Sequence, residues 1–465
     1  MSHIASLRIS LLAAAAASLP LGAVSAQNAP VDLMPVQTGS GPEIRSERVE
    51  ADSDVVSQAV VQAIDEMGVP EQPVVQNWSV DNAVALAAII ETIGAHGLMP
   101  DDYELKTLKA QIAAGEGGAL DEAASQSFRF LVEDMRDGRT PMDHRKQWFV
   151  FDPDQDRYPT ATLMTDALAS GDIAGTLATV MPEHPDYARL KSELATVKSK
   201  TGKRAKLIQA NMDRWRWLPR DLGPQYLMTN VPEYQLRLTV NDNIVRTYRT
   251  VVGKPGRTAT PQIAESVEGV IFNPTWTVPQ SIVKGEGLGA KVLNNPRWAR
   301  NAGYTAERHA NGWVNVVQQP GPTNSLGLMK LDMPNRHAIF FHDTPSRHLF
   351  DNDVRALSHG CIRTERATEL AITLAILQGG LTADEGVEKL KSGEYTKVGF
   401  EKTMPAYITY FTMAQDIDGT LKSFPDIYDR DAPVLEAFAS PRKPDRSRIT
   451  GEQVIEIEND PRDIA

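Results

Sequence analysis

One cysteine occurs in the chain, Cys361, in the run Ser358-His359-Gly360-Cys361-Ile362-Arg363. A thiol with no partner for a disulfide, set beside imidazole, reads as a nucleophile. The thiolate is the attacking species, and a cysteine with an ordinary pKa of about 8.5 needs a neighbouring base at neutral pH. His337, His342, His348 and His359 lie close in sequence. His359, two residues before Cys361, shares a face with the thiol on an extended chain but has little freedom of approach. His342 follows the apolar stretch 338–341, which reads as a strand, so its ring can reach the thiol from a neighbouring strand and is the expected base. Gly360 fits a role without a side chain: close backbone approach there would leave the amides around Gly360 and Cys361 free to face a developing oxyanion, as acyl transfer requires. Arg363 can bind a carboxylate with its planar fork, or pair internally and brace the loop. A zinc site built from His342, His348, His359 and Cys361 is a distant alternative. It would consume the nucleophile, and no His-x-x-x-His or Cys-x-x-Cys spacing supports it, so neither metal nor cofactor is expected.

The elements that must hold these groups divide the chain into two textures. From 49 to 202 the apolar pattern is helical, as at Val55, Val56, Ala59, Val60 and Ala63 and at Leu86, Ile89, Ile90 and Ile93, with further helices over 127–137 and 187–197. Without clustered chemistry, this part reads as a scaffold. A short helix is expected over 211–217, and the alternation then turns to strands at 226–231, 234–240 and 244–252, with Asn241-Asp242-Asn243 as the turn. Further strands are expected at 269–273, 338–341, 406–415 and 420–423. The polar, glycine-bearing stretch 283–317 interrupts the sheet and reads as a lid or small subdomain. After the cysteine, Thr364 is placed to cap a helix, and Thr382 with Glu385 forms a capping box for the next. The fold class is therefore α+β: an all-α scaffold, then a mostly β catalytic domain over 203–439, then a charged tail over 440–465 that should be mobile.

The N-terminal stretch bears on where the thiol works. Arg8, an alanine-rich apolar run over 9–24 broken by Pro20, and the small residues Val24-Ser25-Ala26 form the pattern of a secretory signal peptide, residues 1–26, cut after Ala26. The run is too short and alanine-rich for a lasting membrane anchor. Residues 27–48, rich in Pro, Gly and Ser, read as a flexible leader. In an oxidising compartment an unpaired thiol is a liability unless it is used. Hydrophobic residues at 42% and charged residues at 23% suit globular domains, and a net charge of −12 argues against a nucleic-acid partner.

Through these residues the chain resembles the L,D-transpeptidases with a YkuD-type catalytic domain. The signature is His342, eighteen further residues, then Cys361 within Ser358-His359-Gly360-Cys361-Ile362-Arg363. Asn273-Pro274-Thr275-Trp276, Gln319-Pro320-Gly321-Pro322 with Asn324, His342-Asp343-Thr344-Pro345 and Pro425-Asp426-Ile427-Tyr428 extend it towards the large, scaffold-bearing subgroup of Gram-negative periplasms. So do Pro100-Asp101-Asp102-Tyr103 and His184-Pro185-Asp186-Tyr187 in the helical half.

The resemblance implies peptidoglycan stem peptides as donor and acceptor, a 3→3 cross-link made through a Cys361 thioester with release of D-alanine, acylation by carbapenems, and a periplasmic location. It implies His342 as base and then acid, oriented by a backbone carbonyl near Asp343, with His359 and Gly360 as further site residues. Arg363, Trp276, Asn324 and Ser358 become candidates for contacting substrate. Hydrolysis, D-amino-acid exchange, or attachment or release of an envelope protein would share the same acyl-enzyme. A non-catalytic wall-binding role sits poorly with an intact Cys/His pair. Two departures stand out: larger relatives insert a peptidoglycan-binding module between scaffold and catalytic domain, where this chain has only a short connection, and the 283–317 lid is shorter.

Overall fold

The computed structural model describes residues 74–241, 243–310, 312–416, 418–443 and 447–454, all within the compact unit Ala59–Ala465. The expected signal peptide and leader, the helical pattern expected at 55–63, turn residue Asp242 and the end of the tail lie outside the described residues.

Helices come first: α1 (Val80–Thr92), α2 (Leu105–Ala114), α3 (Gly118–Asp137), α4 (Asp154–Arg157), α5 (Thr160–Ser170), α6 (Ile173–Ala178), α7 (Pro185–Thr196) and α8 (Lys203–Trp215). Ser79 caps α1 by accepting from the Asn82 amide, and Pro185 sits in the first turn of α7 where its missing N–H costs nothing. Leu86, Ile90, Tyr103, Leu108, Phe128 and Leu131 form a buried helical core. The helix expected over 211–217 begins earlier, at Lys203, since Ala205 and Ile208 already face inward.

The strands follow: β1 (Gln225–Asn230), β2 (Gln235–Val240), β3 (Asn243–Gly253), β4 (Ala264–Phe272) and the two-residue β5 (Trp276–Thr277). An insertion then carries α9 (Gln280–Gly285), α10 (Leu288–Asn294), α11 (Pro296–Asn301), β6 (Tyr304–Arg308) and β7 (Val314–Gln318). The chain returns through β8 (Met329–Asp332), β9 (Phe341–His342), β10 (Ala356–Ser358) and β11 (Ile362–Thr364). It ends with α12 (Ala367–Gly379), α13 (Ala383–Lys391), β12 (Thr396–Thr409), β13 (Met413–Gln415), β14 (Leu421–Ser423) and α14 (Asp431–Ala439).

The main sheet runs β10-β3-β11-β9-β8-β4-β12-β1-β2, and β2 also pairs with the first part of β3, so the sheet closes on itself. Its interior is filled by Leu236, Val252, Val267, Phe272, Leu331, Phe341 and Ile362 together with Leu370, Ala371 and Leu374 of α12. Thr364 does not cap α12; it ends β11, and Arg366 at φ 48° turns the chain into the helix. The capping box of Thr382 and Glu385 is present at α13.

Three features refine the expected layout. The insertion spans more than 283–317: β5, β7 and β6 form its own sheet, and Val278, Val283, Val292, Ala299 and Val316 its own core. The boundary at 202/203 does not separate two cores, because Trp148, Tyr187, Leu190, Ile208 and Trp215 share a cluster with Tyr226, Tyr407, Phe411 and Val434. The tail, expected to be mobile from 440, is instead anchored in its described part. Arg442 donates to Asp134 (3.1 Å) and Glu133 (2.5 Å) and lies over Phe130, and Arg448 pairs with Asp156 (2.8 Å).

Candidate active site

Strand register sets the geometry. Arg363 of β11 lies opposite His342 of β9, which lies opposite Lys330 of β8. The neighbours Phe341 and Ile362 are fully buried in the core, so by the two-residue alternation His342 and Arg363 project from the other face of the sheet. Imidazole is thus flanked across strands by two cations.

His342 is 5% exposed, and its Nδ1 lies 2.5 Å from the backbone carbonyl of Asp343. A carbonyl only accepts, so Nδ1 carries the proton and Nε2 keeps the lone pair. Burial, then the Arg363 guanidinium, push the imidazole pKa down to about 3; the Asp343 carbonyl works the other way and Lys330 adds to the depression. Asp343 is itself pinned: its carboxylate accepts from the Leu328 amide (3.0 Å) and from Arg347 (3.2 Å), and its amide donates to Met329. Gly327 makes room for it, since at φ 63° a Cβ there would stand 2.4 Å from Asp343 Oδ2.

Cys361 precedes β11 and is partly exposed. Its thiol lies 3.5 Å from the Ala338 carbonyl, and among the described residues no hydrogen bond joins it to the imidazole. Burial pushes the thiol pKa up, against the Phe340 and Cys361 amides and the Lys330 and Arg363 cations that favour a thiolate. The resting pair is therefore neutral thiol and neutral imidazole.

The remaining expected site residues divide. Arg363 is half-buried, its Nε is buried without a hydrogen-bond partner, and among the described residues no carboxylate pairs with it. Such a guanidinium is ready for a ligand carboxylate. Gly360 sits at φ 121°, which favours glycine, but its amide is not free: it donates to Ser358 Oγ (3.1 Å). Ser358 is 2% exposed and also donates to the Cys361 carbonyl (2.6 Å), so it braces the turn instead of meeting substrate. Asn324 is fully buried and clamps its own loop, donating to Pro274 O (3.0 Å) and Gln319 O (2.9 Å) while accepting from the Leu326 amide. Trp276 pairs with Gln318 and packs on the insertion's core. His359 turns away from the thiol: its Nε2 lies 3.5 Å from Glu286 at the end of α9. His348 stands on an exposed turn, and among the described residues no three His, Cys, Asp or Glu side chains are grouped to hold a metal ion.

Lys330, the Asp343 carboxylate and Glu286 are not legible in the sequence as neighbours of these residues: Asp343 adjoins His342, whereas Lys330 and Glu286 arrive through strand register and loop packing that no local pattern announces.

A partly exposed cysteine, an imidazole with a free lone pair and a guanidinium with no paired carboxylate are thus gathered on the neighbouring strands β9 and β11 and the turn that leads into β11. Residues 224–389 match the family model of the L,D-transpeptidase catalytic domain, YkuD, and residues 76–194 match that of the Scaffold domain. The chain thus carries a YkuD-type L,D-transpeptidase catalytic domain with a Scaffold domain ahead of it. A Haemophilus influenzae protein named "Putative L,D-transpeptidase" is 29% identical over 220 residues, which cover 44% of this chain and 44% of that protein. The chain therefore spans less than half the length of that relative. Among solved structures, the L,D-transpeptidase from Mycobacterium smegmatis is 12% identical, covering 40% of this chain and 58% of that one at a TM-score of 0.21. The avibactam carbamoyl enzyme of Ldtfm is 14% identical, covering 41% and 51% at a TM-score of 0.22. The imipenem complex of LdtMt1 is 12% identical, covering 40% and 59% at 0.20.

Proposed function

We propose that the protein is a periplasmic peptidoglycan L,D-transpeptidase that forms 3→3 cross-links between diaminopimelate residues through a thioester on Cys361. The observation that carries the reading is the unpaired Arg363 guanidinium beside the only thiol and its neutral imidazole neighbour. A stem peptide brings carboxylates, and one seated on Arg363 would hold the donor against the nucleophile.

The Cys361 sulfur attacks the carbonyl of the third-position diaminopimelate, and the thiol proton passes to Nε2 of His342. The tetrahedral oxyanion faces the Cys361 amide, whose peptide is fixed on both sides. D-alanine leaves as its amine takes the proton from His342, and the thioester remains. The side-chain amine of a second stem then attacks the thioester, His342 takes up the amine proton, the carbon–sulfur bond breaks and the proton returns to sulfur. A carboxylate on Arg363 also offsets the charge that weakens His342, so the base strengthens when the donor is seated.

The signal-peptide pattern supports a periplasmic site of action, and a strained β-lactam carbonyl would meet the same thiol, so carbapenem acylation of Cys361 is expected. Incubation with a disaccharide tetrapeptide, varying the amine acceptor, tests the reaction. A dimer lacking one D-alanine, formed in proportion to acceptor, is the expected product; tripeptide alone at every acceptor concentration would mean hydrolysis instead.

A further inference from the structure

The Pro425-Asp426-Ile427-Tyr428 motif lies beyond the matched catalytic segment, yet it reaches the nucleophile through two hydroxyls. Thr260 is fully buried; its Oγ1 accepts from the Gly253 amide (2.9 Å), so its own proton goes to the Gly360 carbonyl at 2.7 Å. The Tyr428 hydroxyl donates to the Gly253 carbonyl (2.5 Å) and accepts from the Thr260 amide (3.3 Å). Tyr428 is held in turn by its amide, which donates to the Tyr410 hydroxyl (2.7 Å), while that hydroxyl donates to Asp426 (2.6 Å).

The Gly360–Cys361 peptide is planar, and in the trans form its carbonyl and N–H point in opposite directions. Gripping the Gly360 oxygen therefore aims the Cys361 N–H. Every neighbouring backbone group is already engaged: the Gly360 amide and the Cys361 carbonyl by Ser358, and the Ile362 amide by Phe340 O (3.0 Å). Among the described residues the Cys361 N–H has no acceptor beyond its own sulfur. A hydrogen bond to the carbonyl also polarises the peptide and makes that N–H a better donor.

We infer that Thr260, locked by Tyr428, is a positioning residue that aims the Cys361 amide at the oxyanion formed during acyl transfer. The inference rests on the acyl-transfer reading above but not on which donor is natural.

The test uses two reagents on the mature chain, and each rate is read at Cys361 after subtracting the reaction of Cys361→Ala. p-Nitrophenyl acetate transfers its acetyl group to the Cys361 sulfur as the ester C–O bond breaks, p-nitrophenolate leaves and the thiol proton is lost through His342; an oxyanion develops on the way. Iodoacetamide forms a carbon–sulfur bond with loss of iodide and develops none. Thr260→Val should slow acetylation roughly 10- to 100-fold and leave alkylation within about twofold, with Thr260→Ser restoring most of the loss. Tyr428→Phe should show the same split more weakly. With the tetrapeptide donor, the loss should fall on kcat and not on KM. Acetylation by Thr260→Val at the wild-type rate, or equal losses on both reagents, would overturn the inference. If Thr260→Val does not fold, the same criterion applies to Tyr428→Phe. A wild-type protein that acetylates normally but ignores the tetrapeptide would sink the peptidoglycan reading and leave this one standing.

Discussion

At the scale of the residue, the charge state of the resting site is the property most open to measurement. His342 is held down to about 3 and Cys361 is pushed above its ordinary value, so between those limits both groups are neutral. Lowering the pH through the usual histidine range changes nothing at the pair, and raising it towards the thiol pKa generates the nucleophile. Alkylation of the free protein by iodoacetamide should accordingly be slow at pH 7, climb into the alkaline range and show no inflection near 6.5. A fast plateau at neutral pH with an acid limb would indicate a thiolate–imidazolium pair and contradict this picture. Arg363 allows a second check. Its replacement in Arg363→Gln removes the cation facing His342, which should raise the imidazole pKa while weakening binding of a carboxylate-bearing donor. Loss of a charged hydrogen bond of this kind costs about 1.5–3 kcal/mol, a KM increase of roughly 10- to 100-fold; an unchanged KM would show that Arg363 only braces its strand.

At the scale of the element, the nucleophile is fixed by loops more than by strands. Gly327 at φ 63° sits against the Asp343 carboxylate, which pins the backbone whose carbonyl orients His342. Gly327→Ala should destabilise the fold by about 1–3 kcal/mol, seen as a lower denaturation midpoint, and reduce acylation of Cys361 beyond what the lost stability explains. Wild-type stability and rate in that variant would remove Asp343 from the account. This scale is also where sequence reasoning was most and least informative. The hairpin β1–β2–β3 and the Thr382–Glu385 capping box follow from alternation and cap chemistry within a few residues. Thr260 and Lys330 could not be found that way, because each acts through a partner about 100 residues away or on a neighbouring strand. Ser358 reads in the sequence as a substrate contact but braces its turn in the fold, since short polar side chains serve loops and ligands with the same atoms, while Asn324 clamps its loop and Trp276 packs on the insertion's core. His359 lies near Cys361 in sequence, yet its ring turns to Glu286 of the insertion, a preference that only the folded insertion reveals.

At the scale of the whole molecule, the helical region and the catalytic sheet share a core and are stapled by buried arginines. Arg139 donates to the carbonyls of Ala437 (3.0 Å) and Ser440 (2.7 Å) while pairing with Asp102, and Arg442 joins the tail to Glu133 and Asp134. Removing one partner of such a buried pair leaves an uncompensated charge and typically costs about 3–5 kcal/mol. Arg442→Ala should thus lower the melting temperature by several degrees, and scaffold and catalytic region should still unfold in one calorimetric transition. Two separated transitions in the wild-type protein would contradict the shared core.

The most direct test of the central claim is the intact mass of the protein after brief exposure to a disaccharide tetrapeptide without acceptor. The expected result is a covalent adduct equal to the donor minus D-alanine, carried by Cys361, sensitive to hydroxylamine and absent from Cys361→Ala. Full turnover of the tetrapeptide by Cys361→Ala, with no adduct on the wild-type thiol, would contradict it.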